Sequence, residues 1–329
     1  MSYRLDMDRL AVPLARARYE QGRLAGRADA LDPVTRRAAA LGTLAGDVLA
    51  SAAMEGRRLH RARVRAAIAG RFGRARNRPA EGLVRIALDA ARDPAAPLTA
   101  ARLLDWHAAL RPAGRRVRAG AWRDEAAGDA MAAFVDRFED ARDAEPVLAA
   151  GLAHLRFLAV SPFAAGNGPI ARAVTDLALA RAEETGVRFY SLTARMRHER
   201  AAYDGALAAA LAGGEDATGW LEWFLGCIAR ACAAAHPTLA AVPRADDADA
   251  GLNPRQRTVL DRLRADDPDR TTSSGWAAMT GCSRDTALRD IADLVARGIL
   301  AKSEAGGRST RYALAEGRGG DGPLPSPRP

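Results

Sequence analysis

The 329-residue chain is almost without lysine: Lys302 is its only one, so the formal net charge of +9 rests on arginine. That excess calls for an anionic partner, or reflects nucleotide bias in an arginine- and alanine-rich composition. Aromatic residues make up only 5% of the chain, which suits closely packed, alanine-rich helices. Cys227, Cys232 and Cys282 follow neither a disulfide nor a zinc spacing, which excludes a disulfide scaffold and points to a reducing compartment. No apolar run approaches the roughly 18 to 20 uncharged residues needed to span a bilayer, and "MSYRLDMDRL" carries no signal sequence. The expectation is a cytoplasmic bacterial protein with no membrane partner. His107, His154 and His198 lack the spacing of metal ligands and read as core or surface residues. What is present, 48% hydrophobic and 27% charged residues, is a globular composition with length for two domains.

The stretch "AVSPFAAGNGPIARAV", Ala159 to Val174, has the look of a phosphate-binding loop feeding a helix. Upstream, Val147, Leu148, Leu152, Leu155 and Leu158 fall at helical spacing and predict an apolar helix stopping near Pro162. Downstream, Ile170, Val174, Leu177 and Ala178 predict a second helix, with Gly186 as its terminator and Pro169 at its first position. Gly166 and Gly168 can adopt positive φ and let a ligand approach the backbone where the free N–H groups of the second helix point outward. Arg172, one turn in, adds a guanidinium for an anion.

This stretch resembles the signature of the Fic family, His-Pro-Phe-x-acid-Gly-Asn-Gly-Arg-x-x-Arg, whose members transfer AMP from ATP onto protein hydroxyls. Pro162, Phe163, Gly166, Asn167, Gly168 and Arg172 match it; Ser161 stands for the histidine, Ala165 for the acid and Pro169 for the first arginine. The resemblance implies a nucleotide- or phosphate-binding set of Gly166, Asn167, Gly168 and Arg172. Its histidine takes the proton of the target hydroxyl and its acid holds magnesium, so this chain keeps the frame without a catalytic residue. A second stretch, "SAAMEG", is similar to the family's inhibitory helix, Ser/Thr-x-x-x-Glu-Gly/Asn, whose glutamate pairs with the last arginine of the signature and obstructs ATP. That makes Ser51, Glu55 and Gly56 an inhibitory set and Glu55 a candidate partner of Arg172. "LTAARLLDWHAAL" and "GAWRDEAAGD" resemble the segments around the family's flap hairpin, but the latter runs at once into a predicted amphipathic helix with Met131, Phe134, Val135 and Phe138. Most of the flap is therefore expected to be deleted.

A positioned general base contributes about 10²- to 10⁴-fold, and a serine hydroxyl holds its own proton too tightly to replace it. Losing the acid removes the anchor of an ion worth several kcal/mol, and losing a clamp arginine costs roughly a few more. Ordinary adenylyl transfer is expected to be abolished. Ser161 as a nucleophile lacks a base in reach, His154 lying two turns back, and reads instead as a helix-end cap.

Leu10, Leu14, Leu24 and Leu31 give the opening segment helical periodicity, and it resembles the N-terminal helical region many Fic proteins carry. From Arg57 to Arg78 the chain has no acidic residue, a run that either binds nucleic-acid phosphates or coats a solvated face. Past His236, "HPTLAAVPRADDADAG" reads as a linker. A compact unit follows: a helix with Leu252, Val259, Leu260 and Leu263 inward; a short helix; a turn at Gly281 to Ser283; a longer helix with Leu288, Ile291, Leu294 and Val295 on one side; and a hairpin about Gly306 and Gly307. This order resembles the winged helix-turn-helix of bacterial regulators and of some Fic proteins. Ser283, Arg284, Asp285, Thr286 and Arg289 would meet the major groove, and Arg308, Ser309, Thr310 and Arg311 the phosphates or minor groove. Arg284 and Arg289 are the base-reading candidates. Against that, Asp285, Asp290 and Asp293 share the helix, Asp285 and Arg289 can form an i,i+4 surface pair, and such units also dock proteins.

The expected fold is mainly α: an N-terminal helical region with the inhibitory helix (1–95), a Fic-like core (96–235), a linker (236–250), a winged helix-turn-helix with a small hairpin (251–315) and a disordered tail (316–329). The functional expectation is a pseudoenzyme of the AMPylation family that binds DNA as a transcription regulator and holds a nucleotide such as ATP, or another anion, at the loop without magnesium. Two alternatives stand beside it: a transferase with altered chemistry, and a non-catalytic partner of an active relative or a homodimer.

Overall fold

The computed structural model describes residues 3–68, 78–92, 94–110, 118–140, 145–240, 251–265, 271–302 and 310–314. The chain divides into two compact units, Met1–Val242 and Pro243–Pro329. The first contains α1 (Met7–Asp29), α2 (Pro33–Met54), α3 (Arg61–Ile68), α4 (Arg78–Arg92), α5 (Ala100–Leu110), α6 (Glu125–Asp140), α7 (Pro146–Val160), α8 (Asn167–Ala182), α9 (Leu192–His198), α10 (Arg200–Ala212) and α11 (Thr218–Ala240). Its centre is the α7–α8 hairpin. Both helices are apolar on nearly every side, so each must be covered all round.

Two cores form on this hairpin. In one, α1 runs along α11 and both cover Leu148, Leu155 and Leu179 around the fully buried Trp220. Trp220 Nε1 donates to the Gly151 carbonyl at 2.8 Å, so the indole is satisfied as well as buried. In the other, α2 to α6 cover Phe157, Ile170 and Val174 around Trp106. Few aromatics suffice because they sit at the centres. The expected amphipathic helix is α6, with Met131 and Phe134 buried.

Several sequence expectations shift here. The second helix ends at Ala182 rather than at Gly186, with Glu184 in left-handed backbone at φ 53°. Gly186 serves another purpose: a β-carbon there would lie 1.7 Å from the Ala91 carbonyl oxygen, so only glycine permits the contact with the end of α4. The expected linker start at His236 lies inside α11, which continues to Ala240; His236 and Leu239 are buried, and that burial holds the helix across Pro237.

The second unit contains α12 (Pro254–Ala265), β1 (Thr271–Thr272), α13 (Ser273–Thr280), α14 (Arg284–Ala296), β2 (Leu300–Lys302) and β3 (Arg311–Leu314). Asn253 and Gln256 cap α12 reciprocally, each side chain accepting the other's backbone N–H, at 3.0 and 2.9 Å. Gly281, at φ 63°, turns the chain between α13 and α14. The strands form an antiparallel sheet of order β1-β3-β2, pairing Leu300 with Leu314 and Thr271 with Tyr312. The short strand β1 went unforeseen, since two residues carry no alternation to read. Its core, around Trp276, holds Val259, Leu260, Ile291 and Leu294. Leu288 and Val295 are exposed, contrary to expectation. The buried stripe of α14 is Ala287, Asp290, Ile291 and Leu294, and Leu288 stands about 100° round the helix from Ala287.

Candidate functional site

α7 ends at Ser161, which lies in left-handed backbone at φ 43°, and α8 begins after Gly166 at φ 85°. Ser161 Oγ donates to the Leu158 carbonyl at 2.6 Å. The side chain therefore closes the helix end, as its position suggested. Between the helices Asn167 clasps the loop: Oδ1 accepts from Phe163 N at 3.0 Å and Nδ2 donates to Phe163 O at 2.8 Å. Arg123 holds the other side, donating to the carbonyls of Val160, at 2.8 Å, and Ser161, while its backbone N–H donates to Pro162 O.

Beneath the loop, Phe163 stacks between His107, 4.0 Å between ring centroids, and Trp122, 5.0 Å away. His107 Nδ1 accepts from the Gly120 N–H, so its Nε2–H donates to Ala165 O at 3.2 Å. Burial pushes its pKa down, only partly opposed by the Ala165 hydrogen bond. Fully buried and with both nitrogens engaged, His107 fixes the loop rather than serving as a base at Ser161. Arg123 and His107 were not foreseen as loop residues. Both lie in stretches read as flanking the flap, and nothing in their spacing announces contact with Ser161 or Ala165. The connection from α5 to α6 spans 111–124; among its described residues, 118–124, there is no strand.

Of the two loop glycines only Gly166 takes positive φ; Gly168 is helical, and Pro169 is the third residue of α8, not the first. The N–H at the third position also lacks an intrahelical partner, so proline still costs the helix nothing, but it removes one donor from the cradle. Gly168 matters by proximity. A β-carbon on it would sit 2.7 Å from Glu55 Oε1 and 3.2 Å from Arg172 Nη1.

Glu55 therefore lies against the start of α8. Ser51 is in the last turn of α2, Glu55 caps that helix, and Gly56 leaves it at φ 71°. Arg172 Nη2 donates to Glu55 Oε1 at 2.9 Å and to Ser51 Oγ at 2.9 Å, and Arg172 Nε donates to Ser51 Oγ at 3.0 Å. The Arg172 side chain is 5% exposed and that of Glu55 33%. The N-terminus of α8, the position suited to an outside anion, thus faces a carboxylate of the chain itself. The donors present suit an anion but not a divalent cation: position 165 is alanine and Glu55 is committed to Arg172. Among the described residues no cluster of His, Cys, Asp and Glu is arranged to hold a metal.

Behind Arg172, His154 Nδ1 donates to Thr175 Oγ1 at 2.8 Å, that hydroxyl having given its proton to Ala171 O, so Nε2 accepts from Tyr203 OH at 3.0 Å. Burial, then the Arg172 charge, drives the imidazole pKa down to about 3. Asp47, one turn before Ser51, accepts from Ser191 Oγ; burial, then the facing Asp176 carboxylate, raises its pKa to about 7 against the pull of Arg188.

In the second unit Ser283 Oγ caps α14 by accepting from Thr286 N at 3.2 Å. Arg284, Asp285 and Arg289 are exposed, and Asp285 and Arg289 form no pair with each other. Asp290 is buried, bonded by Asn253 Nδ2 at 2.7 Å and Arg255 Nε at 2.9 Å. Burial raises its pKa, but those bonds and the Arg255 charge prevail and hold it low. Asp293 is held by Arg297 and Gln256. Two of the acids expected to oppose DNA are thus partnered within the unit. Arg311 is exposed on β3; Arg308 and Ser309 lie outside the described residues.

Residues 1–74 match a family described as a domain of unknown function, DUF4172. No curated protein matches the chain. Among solved structures it is similar to a Fic family protein from Desulfovibrio desulfuricans G20, with 21% identity and TM-score 0.60 over 98% of this chain and all of that one. It is also similar to a Fic domain-containing signaling protein from Bacteroides thetaiotaomicron VPI-5482, with 18% identity and TM-score 0.52 over 67% of this chain and 97% of that one. Fic-1 from C. elegans, residues 134–508, gives 22% identity and TM-score 0.52 over 70% of this chain and 72% of that one. The protein has the Fic fold. Among the described residues no helix is long and apolar enough to cross a membrane.

Proposed function

We propose that this chain is a Fic family member that no longer transfers AMP, keeps its anion cradle closed with Glu55, and acts as a DNA-binding regulator through a winged helix-turn-helix at 251–315. The carrying observation is the Glu55–Arg172 contact across Gly168, in a loop that offers no base at 161 and no acid at 165. An anion that reaches the α8 N-terminus must displace a carboxylate already paired there. What then binds is a phosphate or nucleotide held by Gly166, Asn167, Gly168 and Arg172 without chemistry following.

The DNA reading is supported by α14, whose first turns present Arg284 and Arg289 exposed and, among the described residues, without an acidic partner, while Asp290 and Asp293 are neutralised from α12 and the helix end. A guanidinium so placed can meet guanine O6 and N7. Incubating the full chain with radiolabelled ATP tests the first half: no transfer to itself or to lysate proteins is expected, and robust labelling would overturn it. The variant combining Ser161→His, Ala165→Asp, Pro169→Arg and Glu55→Gly should regain labelling if the frame is intact. Gel shift of the full chain with genomic fragments at low salt tests the second half. Absence of any shifted fragment would leave the unit as a protein-docking module.

A further inference from the structure

Toward the end of the α7–α8 hairpin away from the loop lies a cavity of about 460 Å³, bounded by the second half of α6, α7 from Pro146 to Arg156, the end of α8 and Pro94–Ala95. Its volume is that of a small-molecule pocket. Phe134, Phe138 and Ala153 give it an apolar floor, and Arg137, Arg156 and Arg181 stand in its walls, with Glu184 on the rim.

The three arginines differ. Arg181 is spent on structure, donating to Pro94 O at 2.7 Å and Ala96 O at 3.0 Å, pairing with Glu139 at 2.9 Å and lying over the Phe138 ring. Arg156 has no such engagement: among the described residues its guanidinium meets no hydrogen-bond acceptor or carboxylate, and it lies 5.7 Å from the centroid of the Tyr3 ring. Burial and the neighbouring Arg137 charge both work against its protonated form. A guanidinium in a cavity wall with no carboxylate of the described residues against it can take one from outside through its terminal N–H groups. A pocket that joins this donor to an apolar floor suits a ligand with both characters.

We propose that the cavity binds a small amphipathic carboxylate, its aliphatic or aromatic body on Phe134, Phe138 and Ala153 and its carboxylate on Arg156 beside Arg137. The proposal is independent of what the loop does. Calorimetry of the full chain with decanoate and with decan-1-ol, both below their aggregation limits, tests it. Decanoate should bind and raise the melting temperature, with the alcohol about tenfold weaker or worse. Arg156→Met should remove that preference; should it fail to fold, Ala149→Phe, which fills the cavity from α7, decides by abolishing decanoate binding. Equal binding of acid and alcohol, no binding, a lowered melting temperature, or unchanged affinity in Ala149→Phe would each overturn the assignment.

Discussion

Arg172 and Arg284 both stand near the start of a helix, where backbone N–H groups already favour anions, yet the molecule uses them in opposite ways. Arg172 is buried and consumed by Ser51 and Glu55; Arg284 is exposed, with its acidic neighbours Asp290 and Asp293 drawn into contacts of their own. Groups of the same chain enclose Arg172, while the side chains of Arg284 and Arg289 on α14 stay exposed. An arginine's role is set by what surrounds it more than by its position on a helix.

The largest break in that contrast should come from α14. Replacing Arg284 and Arg289 together by alanine removes two candidate base contacts, each worth about 1–3 kcal/mol, so affinity for a specific fragment should fall by roughly 30-fold or more. Fluorescence anisotropy at one fixed salt concentration reads this out, and an unchanged Kd would remove the distinction between the two arginines. Glu55→Gly should come next. It opens the cradle and leaves Arg172 to Ser51 alone; a fully buried broken pair costs about 3–5 kcal/mol, but Glu55 is one-third exposed, so about 1–3 kcal/mol in urea unfolding is expected. Nucleotide affinity by calorimetry should rise in the same variant, and if it does not, Glu55 is not a barrier to anions.

A subtler effect concerns pH. Asp47, raised to about 7, keeps a proton in the folded state that the unfolded chain releases above about pH 4, so its contribution to stability falls as pH rises. His154, lowered to about 3, stays neutral in the folded state while the unfolded chain binds a proton below about pH 6.5, so its contribution rises with pH. Between about pH 4 and 6.5 the two slopes oppose each other. Asp47→Asn should therefore expose a melting temperature that climbs with pH, and His154→Gln one that declines. Parallel profiles for both variants and the unmodified chain would contradict the buried charge assignment. The smallest effect should be Arg123→Ala, which loses the bonds to Val160 and Ser161 carbonyls; about 1 kcal/mol, with faster amide exchange confined to 161–168, is expected.

Much of the molecule was legible because its signals are local. The α7 and α8 stripes, the Ser161 cap, Asn167 in the loop and the Gly281 turn follow from spacing and from what each residue does to its neighbours. The pairing of Glu55 with Arg172 was legible only through resemblance, since 117 residues separate them. The misreadings have a common physical form. Gly186 was taken as a terminator because glycine at a helix end has a local reason, while its actual reason is the Ala91 carbonyl, which no local pattern reports. Leu288 and Val295 were placed inward because they are apolar, although the neighbouring α12 and β2 meet the stripe of Ala287, Ile291 and Leu294 instead.

By itself, then, the sequence determined the helical character, the apolar hairpin, the turn residues and the absence of a base and an acid at positions 161 and 165, because backbone preference and side-chain chemistry are properties of short segments. Only the tertiary structure decided that Glu55 lies over Gly168, that Arg123 and His107 hold the loop, and that Arg156 faces a cavity without an acceptor. Those outcomes depend on which distant surfaces meet, and the free energy of burying a charge or completing a hydrogen bond exists only once they do.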